Sequence, residues 1–201
     1  MTIGPIGLLP DEVLLEIFSF YLEEAYKADL VDFLEAWRIL VHVCHRWRKN
    51  VFASPRRLNL QLVCAGRKHV REMLGIWPTL PIVIQDWDLD SDPWSPTCGV
   101  DNIMAALEHR DRVCEISLQS VPPFLLKWDS VMMQPFPALT RLYLSKENTP
   151  IPVIPDSFLG GSAPRLREIV LEGVPFSALP KLLWSTNDLV QLVLWSILMF
   201  R

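Results

Sequence analysis

The chain lacks most of what a secreted, metal-bound or membrane-spanning protein needs. Only four cysteines, Cys44, Cys64, Cys98 and Cys114, occur among its 201 residues. They stand 20, 34 and 16 residues apart, with no C-x-x-C and no nearby histidine pair suited to zinc. A structural zinc site is therefore not expected, and reduced thiols of an intracellular protein are. The opening MTIGPIGLLPDEV has no basic stretch followed by a long apolar one, which predicts no secretory signal. The most apolar run, 189–200, is 12 residues, against about 20 for a helix that crosses a bilayer. An excess of positive charge is missing too. The net charge is -4 and the pI about 5.6, which counts against nucleic acid as a partner, because non-specific affinity comes from neutralising phosphates. The expectation is a soluble protein of the cytoplasm or nucleus, with no cofactor, no metal and no membrane or nucleic-acid partner.

What the sequence does have is one spacing written four times: Val113-x-x-Ile116-x-Leu118, Leu139-x-x-Leu142-x-Leu144, Leu166-x-x-Ile169-x-Leu171 and Leu189-x-x-Leu192-x-Leu194. The copies return after 26, 27 and 23 residues. A short strand with alternating apolar residues cannot bury its apolar face alone but can do so against a copy of itself. Leu58, Leu60 and Leu62, then Ile82 and Ile84, read as two earlier strands, giving about six. Helices are expected between them at 67–77, 101–109, 123–133 and 175–184, and the proline- and glycine-rich stretch 146–164 as extended chain or a short helical turn. Strand and helix alternating at this period give right-handed parallel crossovers and a curved stack with its sheet on the concave side. The tail after Leu194 (Trp195, Ile197, Leu198, Met199, Phe200) is apolar where a stack needs a polar last layer. That predicts a C-terminally truncated sequence or an edge covered by another chain.

Before residue 58 the pattern is helical. Val13, Leu14, Ile17, Phe18 and Tyr21 form one stripe after a start at Leu9-Pro10-Asp11-Glu12, where proline suits a first turn and acids suit the positive end of the helix dipole. Leu34, Trp37, Val41, Cys44, Trp47 and Val51 predict a second helix over 30–51, closed by Ser54-Pro55. Charge is segregated: 11–35 holds eight acids opposed by Lys27 alone, and 38–71 holds nine lysines and arginines with no acid. Two solvated helix faces explain this most simply; an electropositive docking face on Arg46, Arg48, Lys49, Arg56 and Arg57 is the sharper reading.

Leu9-Pro10-Asp11-Glu12-Val13-Leu14 with Ile17-Phe18, then Leu40-Val41-x-Val43-Cys44-His45-Arg46-Trp47-Arg48 and Ser54-Pro55, resemble the F-box, the adaptor-binding module of Skp–cullin–F-box ubiquitin ligases. A short F-box followed by irregular leucine-rich repeats is similar to the fungal members of that family, and the two parts cover almost the whole chain. The resemblance implies α + α/β architecture: a small helical F-box at 1–57, with an insertion near 22–36, and an irregular leucine-rich-repeat solenoid with a parallel concave sheet at 58–201. It implies a non-catalytic substrate receptor that reaches a cullin–RING ligase through a Skp adaptor, held by Leu9, Pro10, Val13, Ile17, Val43, Cys44 and Trp47. A protein substrate would lie on the repeats, with Arg141, Tyr143, Glu168, Glu172 and Trp195 as contacts. The alternative is an interaction scaffold with a degenerate F-box, since the family joins its first helices by a short turn where this chain has 22–36. The repeats also lack the family's asparagine or cysteine after each strand, at Val121, Glu147, Val174 and Ile197.

In the repeats, alternation predicts three outward rows across neighbouring strands: Glu115, Arg141, Glu168 and Gln191; Ser117, Tyr143, Val170 and Val193; and Gln119, Ser145, Glu172 and Trp195. The first row alternates in sign, which lateral ion pairs would explain without a ligand. Other signals fail on spacing. Asp86, Asp88, Asp90 and Asp92 start like a calcium loop, but Ser91 and Thr97 stand where glycine and glutamate are needed. His42, Cys44 and His45 lie on a packed helix rather than in a cleft, and Gly160-Gly161 has no lysine or serine partner and reads as a turn.

Overall fold

The computed structural model describes residues 8–28, 30–64, 70–85, 96–119, 131–145, 155–174 and 179–195. The chain divides into two compact units, Met1–Leu62 and Val63–Arg201. The first holds three helices: α1 (Asp11–Ala28), α2 (Leu30–Val43) and α3 (His45–Ala53). The second is mixed α/β, a six-stranded sheet in the order β1-β2-β3-β4-β5-β6, from β1 (Leu62–Cys64) and β2 (Ile82–Gln85) through β3 (Val113–Leu118), β4 (Arg141–Ser145) and β5 (Glu168–Glu172) to β6 (Gln191–Trp195). Helices α4 (Val70–Ile76), α5 (Pro96–Leu107) and α6 (Leu179–Ser185) lie between strands, as does a short 3-10 turn at Phe158–Gly161.

In the helical unit Leu14, Phe18 and Leu22 on α1, Trp37, Leu40 and Val41 on α2, and Val51, Leu58 and Leu60 are all buried. Each such side chain is worth about 1.5–3 kcal/mol when fully removed from water. Two aromatic contacts tie the core: Phe18 tilts against Trp47 with ring centroids 4.7 Å apart, and Trp37 meets Phe52 edge-on at 6.0 Å. The indole N–H of Trp37 donates to the Gln61 carbonyl at 3.1 Å, which satisfies a polar atom that burial would otherwise penalise.

Three expectations are corrected. The second helix is not continuous over 30–51: Cys44 is extended (φ -160°, ψ 169°) and separates α2 from α3. The break leaves the last carbonyls of α2 without helical partners. Arg48 on α3 turns back and donates to one of them, Val41 O, at 2.9 Å. Leu58 and Leu60 are not a strand either; the chain turns through 55–59, with Asn59 left-handed at φ 48°, and β1 begins only at Leu62. The end of the helix expected at 123–133 is a turn from Val131, where Gln134 N–H bonds Val131 O at 3.2 Å; 123–130 lie outside the described residues. The stretch 22–36 is helical on both sides of residue 29, completing α1 and opening α2.

From β2 to β6 each pairing is parallel. Ile116, Leu142, Ile169 and Leu192 lie side by side, and so do Leu118, Leu144, Leu171 and Leu194. The leucine that opens the second and third motifs sits in a turn before its strand: Leu139 N–H bonds Phe136 O and Leu166 N–H bonds Ala163 O, and both side chains are buried. Phe136, Phe158 and Leu159 add to the core behind the sheet. Gly160 is needed where the 3-10 turn approaches 135. A Cβ there would lie 2.7 Å from the Pro135 nitrogen, and φ is +64°, a region that side chains other than glycine's rarely adopt.

Candidate functional sites

The two units each present a surface with its own chemistry. On α1 the apolar residues read from sequence as one stripe divide into two. Leu14, Phe18 and Leu22 face the core, whereas Val13, Ile17, Phe20 and Tyr21 remain exposed, Phe20 to 65%. A helix advances about 100° per residue, so 13, 17 and 20 form a second face beside 14, 18 and 22. Phe20 lies outside the stripe read from the sequence; the signal for it is an α1 with more apolar residues than one buried stripe uses.

The N-terminus of α1 is fastened to the start of α3. Arg46 donates to Asp11 Oδ1 through Nε at 2.9 Å and Nη2 at 2.6 Å, and also to the Leu9 carbonyl. Asn50 Nδ2 donates to the same Asp11 oxygen at 2.9 Å. The Asn50 amide and then the Arg46 guanidinium hold the Asp11 carboxyl below its ordinary range. These bonds bring Leu9 and Pro10 to the same end of the unit as the α2–α3 junction, where Val43 is 55% exposed and Cys44 is exposed. Ile39, one turn before Val43, is exposed as well. Of the seven residues proposed from the resemblance, Pro10, Val13, Ile17, Val43 and Cys44 are exposed and Leu9 is half-buried. Trp47 is half-buried against Phe18, a core contact that accounts for it without a partner.

Three of the five basic residues, Arg46, Arg48 and Arg57, have partners within the unit. Arg46 binds Asp11, Arg48 binds Val41 O, and Arg57 pairs with Glu16. A guanidinium committed to a carboxylate gives little net positive field, which weakens the electropositive-face reading.

On the sheet the predicted register is observed. Glu115 faces Arg141, Arg141 faces Glu168, and Glu168 faces Gln191; Ser117, Tyr143, Val170 and Val193 follow, then Ser145, Glu172 and Trp195. Arg141 bridges both glutamates, with Nη1 3.1 Å from Glu115 and Nε 2.7 Å from Glu168. Burial nevertheless pushes the Glu115 carboxyl above its ordinary value, outweighing Arg141. Four residues further along the strands a second arrangement forms. Ser145 Oγ donates to Glu172 Oε2 at 3.1 Å and Tyr143 Oη to the same oxygen at 3.4 Å. Trp195, directly opposite Glu172 on β6, is 62% exposed. All five residues proposed for substrate contact therefore share one face of β4, β5 and β6.

The chain matches no protein-family model, no curated protein and no solved structure. The site chemistry must therefore be read from the residues alone. Among the described residues no group of three or more His, Cys, Asp or Glu could hold a metal ion, and no helix is long and apolar enough to cross a membrane. Asp86, Asp88, Asp90 and Asp92 lie outside the described residues. Cys114 donates to Ile82 O at 3.3 Å, and burial raises its pKa to about 11, so at neutral pH it is a protonated, poor nucleophile.

Proposed function

We propose that the chain is a non-catalytic substrate receptor of a Skp–cullin–F-box ubiquitin ligase. In this reading Met1–Leu62 is an F-box that docks on a Skp adaptor, and the sheet of Val63–Arg201, a leucine-rich-repeat array, carries a protein substrate; the covalent chemistry belongs to other subunits of the cullin–RING ligase. The supporting observation is the second apolar face of α1. Its core-facing stripe is already buried, yet Val13, Ile17, Phe20 and Tyr21 stay in water, and Pro10, Val43 and Cys44 of the same unit are also exposed. Helix-in-groove association draws its energy from a few such anchors.

The test is co-purification of the full chain with a Skp adaptor, beside a Val13→Ser, Ile17→Ser variant whose helix content is checked by circular dichroism. Loss of both exposed anchors is expected to weaken binding by tenfold or more, since hot-spot residues cost about 2 kcal/mol each. Failure of the well-folded wild-type chain to bind the adaptor at micromolar concentration would remove the receptor reading and favour a scaffold.

A further inference from the structure

Among its described residues, the exposed sheet face of the second unit carries a charge imbalance that its contacts do not resolve. Across β3–β6 the outward rows hold three carboxylates, Glu115, Glu168 and Glu172, and one cation, Arg141. Arg141 is engaged by the first two. Among the described residues Glu172 meets no cation. Its partners are the hydroxyls of Ser145 and Tyr143, both on one carboxylate oxygen, Oε2. Two hydroxyl donors orient a carboxylate and leave its charge in place, and the other oxygen, Oε1, is left for a further donor. In the adjoining strand the exposed indole of Trp195 lies in register with it. The carboxylate is thus fixed by neighbours and belongs to a residue whose partner on the next strand is a tryptophan.

We propose that this face recognises a cationic side chain, lysine or arginine, of a protein partner, with the cation on Glu172 and its alkyl stem or guanidinium plane against Trp195. This deepens the substrate-receptor reading and rests on it for the partner's role; the chemistry of the face does not depend on the adaptor. A hydrogen-bonded carboxylate beside an aromatic ring offers a cation both a charge-assisted bond and a quadrupole attraction. An acidic or nucleic-acid partner would meet like charge at Glu168 and Glu172. Arg141 is not expected to attract such a partner, because a carboxylate stands on each side of it.

The experiment is selection from a random twelve-residue displayed peptide library on the full chain, repeated with Glu172→Gln, Trp195→Ala and Glu115→Gln. Circular dichroism checks that each remains folded. The expected result is a lysine or arginine enriched at one fixed position of the peptides selected by the wild type. That enrichment is retained with Glu115→Gln and lost with Glu172→Gln. For a selected peptide, Glu172→Gln is expected to lower affinity about tenfold or more, the cost of removing a charged hydrogen-bond partner. Trp195→Ala is expected to lower it about fivefold, and binding should weaken as salt rises. No selected peptide, no cation preference, enrichment of acids, or a preference that survives Glu172→Gln overturns the proposal. A chain that selects cationic peptides but does not co-purify with the adaptor keeps this inference and loses the ligase reading.

Discussion

Strands β5 and β6 carry the same motif in the same register, yet they live in different environments. Ile169 and Leu171 are 0% exposed, while their neighbours Leu192 and Leu194 are 41% and 42% exposed. Toward the other end β2, with β1 and β3 on its two sides, is buried at all four positions, including the outward ones, Val83 and Gln85. The same motif thus buries different amounts of apolar surface depending on what stands beside it. In a stacked sheet the motif supplies the shape of a layer, and the neighbouring layers supply its stabilisation.

The largest expected effect breaks that comparison directly. Leu171→Ala removes a fully buried side chain between two strands and should cost about 2–5 kcal/mol. Leu194→Ala, one strand over, should cost about 1 kcal/mol or less, since much of its area is already in water. Urea midpoints followed by far-ultraviolet circular dichroism separate the two. Equal losses would mean that the edge is covered in solution and that the exposure of β6 is not its working state.

How legible each part was in the sequence follows the same division. The strands β3–β6 were legible because alternation over the LxxLxL motif is a local signal and parallel stacking repeats it, so the outward rows followed from counting. The same spacing logic failed at 58–62, where three alternating leucines are too few to distinguish a strand from a turn whose side chains are buried for other reasons. The break at Cys44 was not legible at all. Trp37, Val41, Cys44, Trp47 and Val51 keep helical spacing straight through it, and neither proline nor glycine marks it. Its causes are tertiary: Arg48 reaching Val41 O and Arg46 reaching Leu9 and Asp11. In the candidate site, the pairing of Arg141 with its two glutamates could be counted from the register. The clamping of Glu172 could not, because Tyr143 reaches it diagonally rather than from the opposite position.

The helix break gives the next prediction. Arg48→Met keeps most of the side chain's apolar length and removes the donor from the end of α2. A loss of about 1 kcal/mol is expected, the size of a lost cap. Helix content measured by circular dichroism should fall slightly and the urea midpoint should drop. An unchanged midpoint would show that water serves the Val41 carbonyl as well as Arg48 does, and that the junction is held by Arg46 and Asn50 alone.

The smallest effect contrasts one carboxylate from each unit. Asp11 has a depressed pKa in the folded chain because of Asn50 and Arg46. Its contribution is therefore present above the unfolded value of about 3.9 and is lost as pH falls through the folded value. Glu115 has a raised pKa, with burial as the leading cause. Its contribution is fully present below the unfolded value of about 4.3 and is lost as pH rises through the folded one. The two groups thus push stability in opposite directions over the same acid range. Thermal midpoints of Asp11→Asn and Glu115→Gln, each compared with the wild type at pH 7 and pH 3, test this. Going from pH 3 to pH 7, the difference should move toward the wild type for Asp11→Asn and toward the variant for Glu115→Gln. If both moved toward the wild type, the Arg141 pairing would outweigh the burial of Glu115. The row of charges on the sheet would then be a stabilising network rather than one tolerated at some cost.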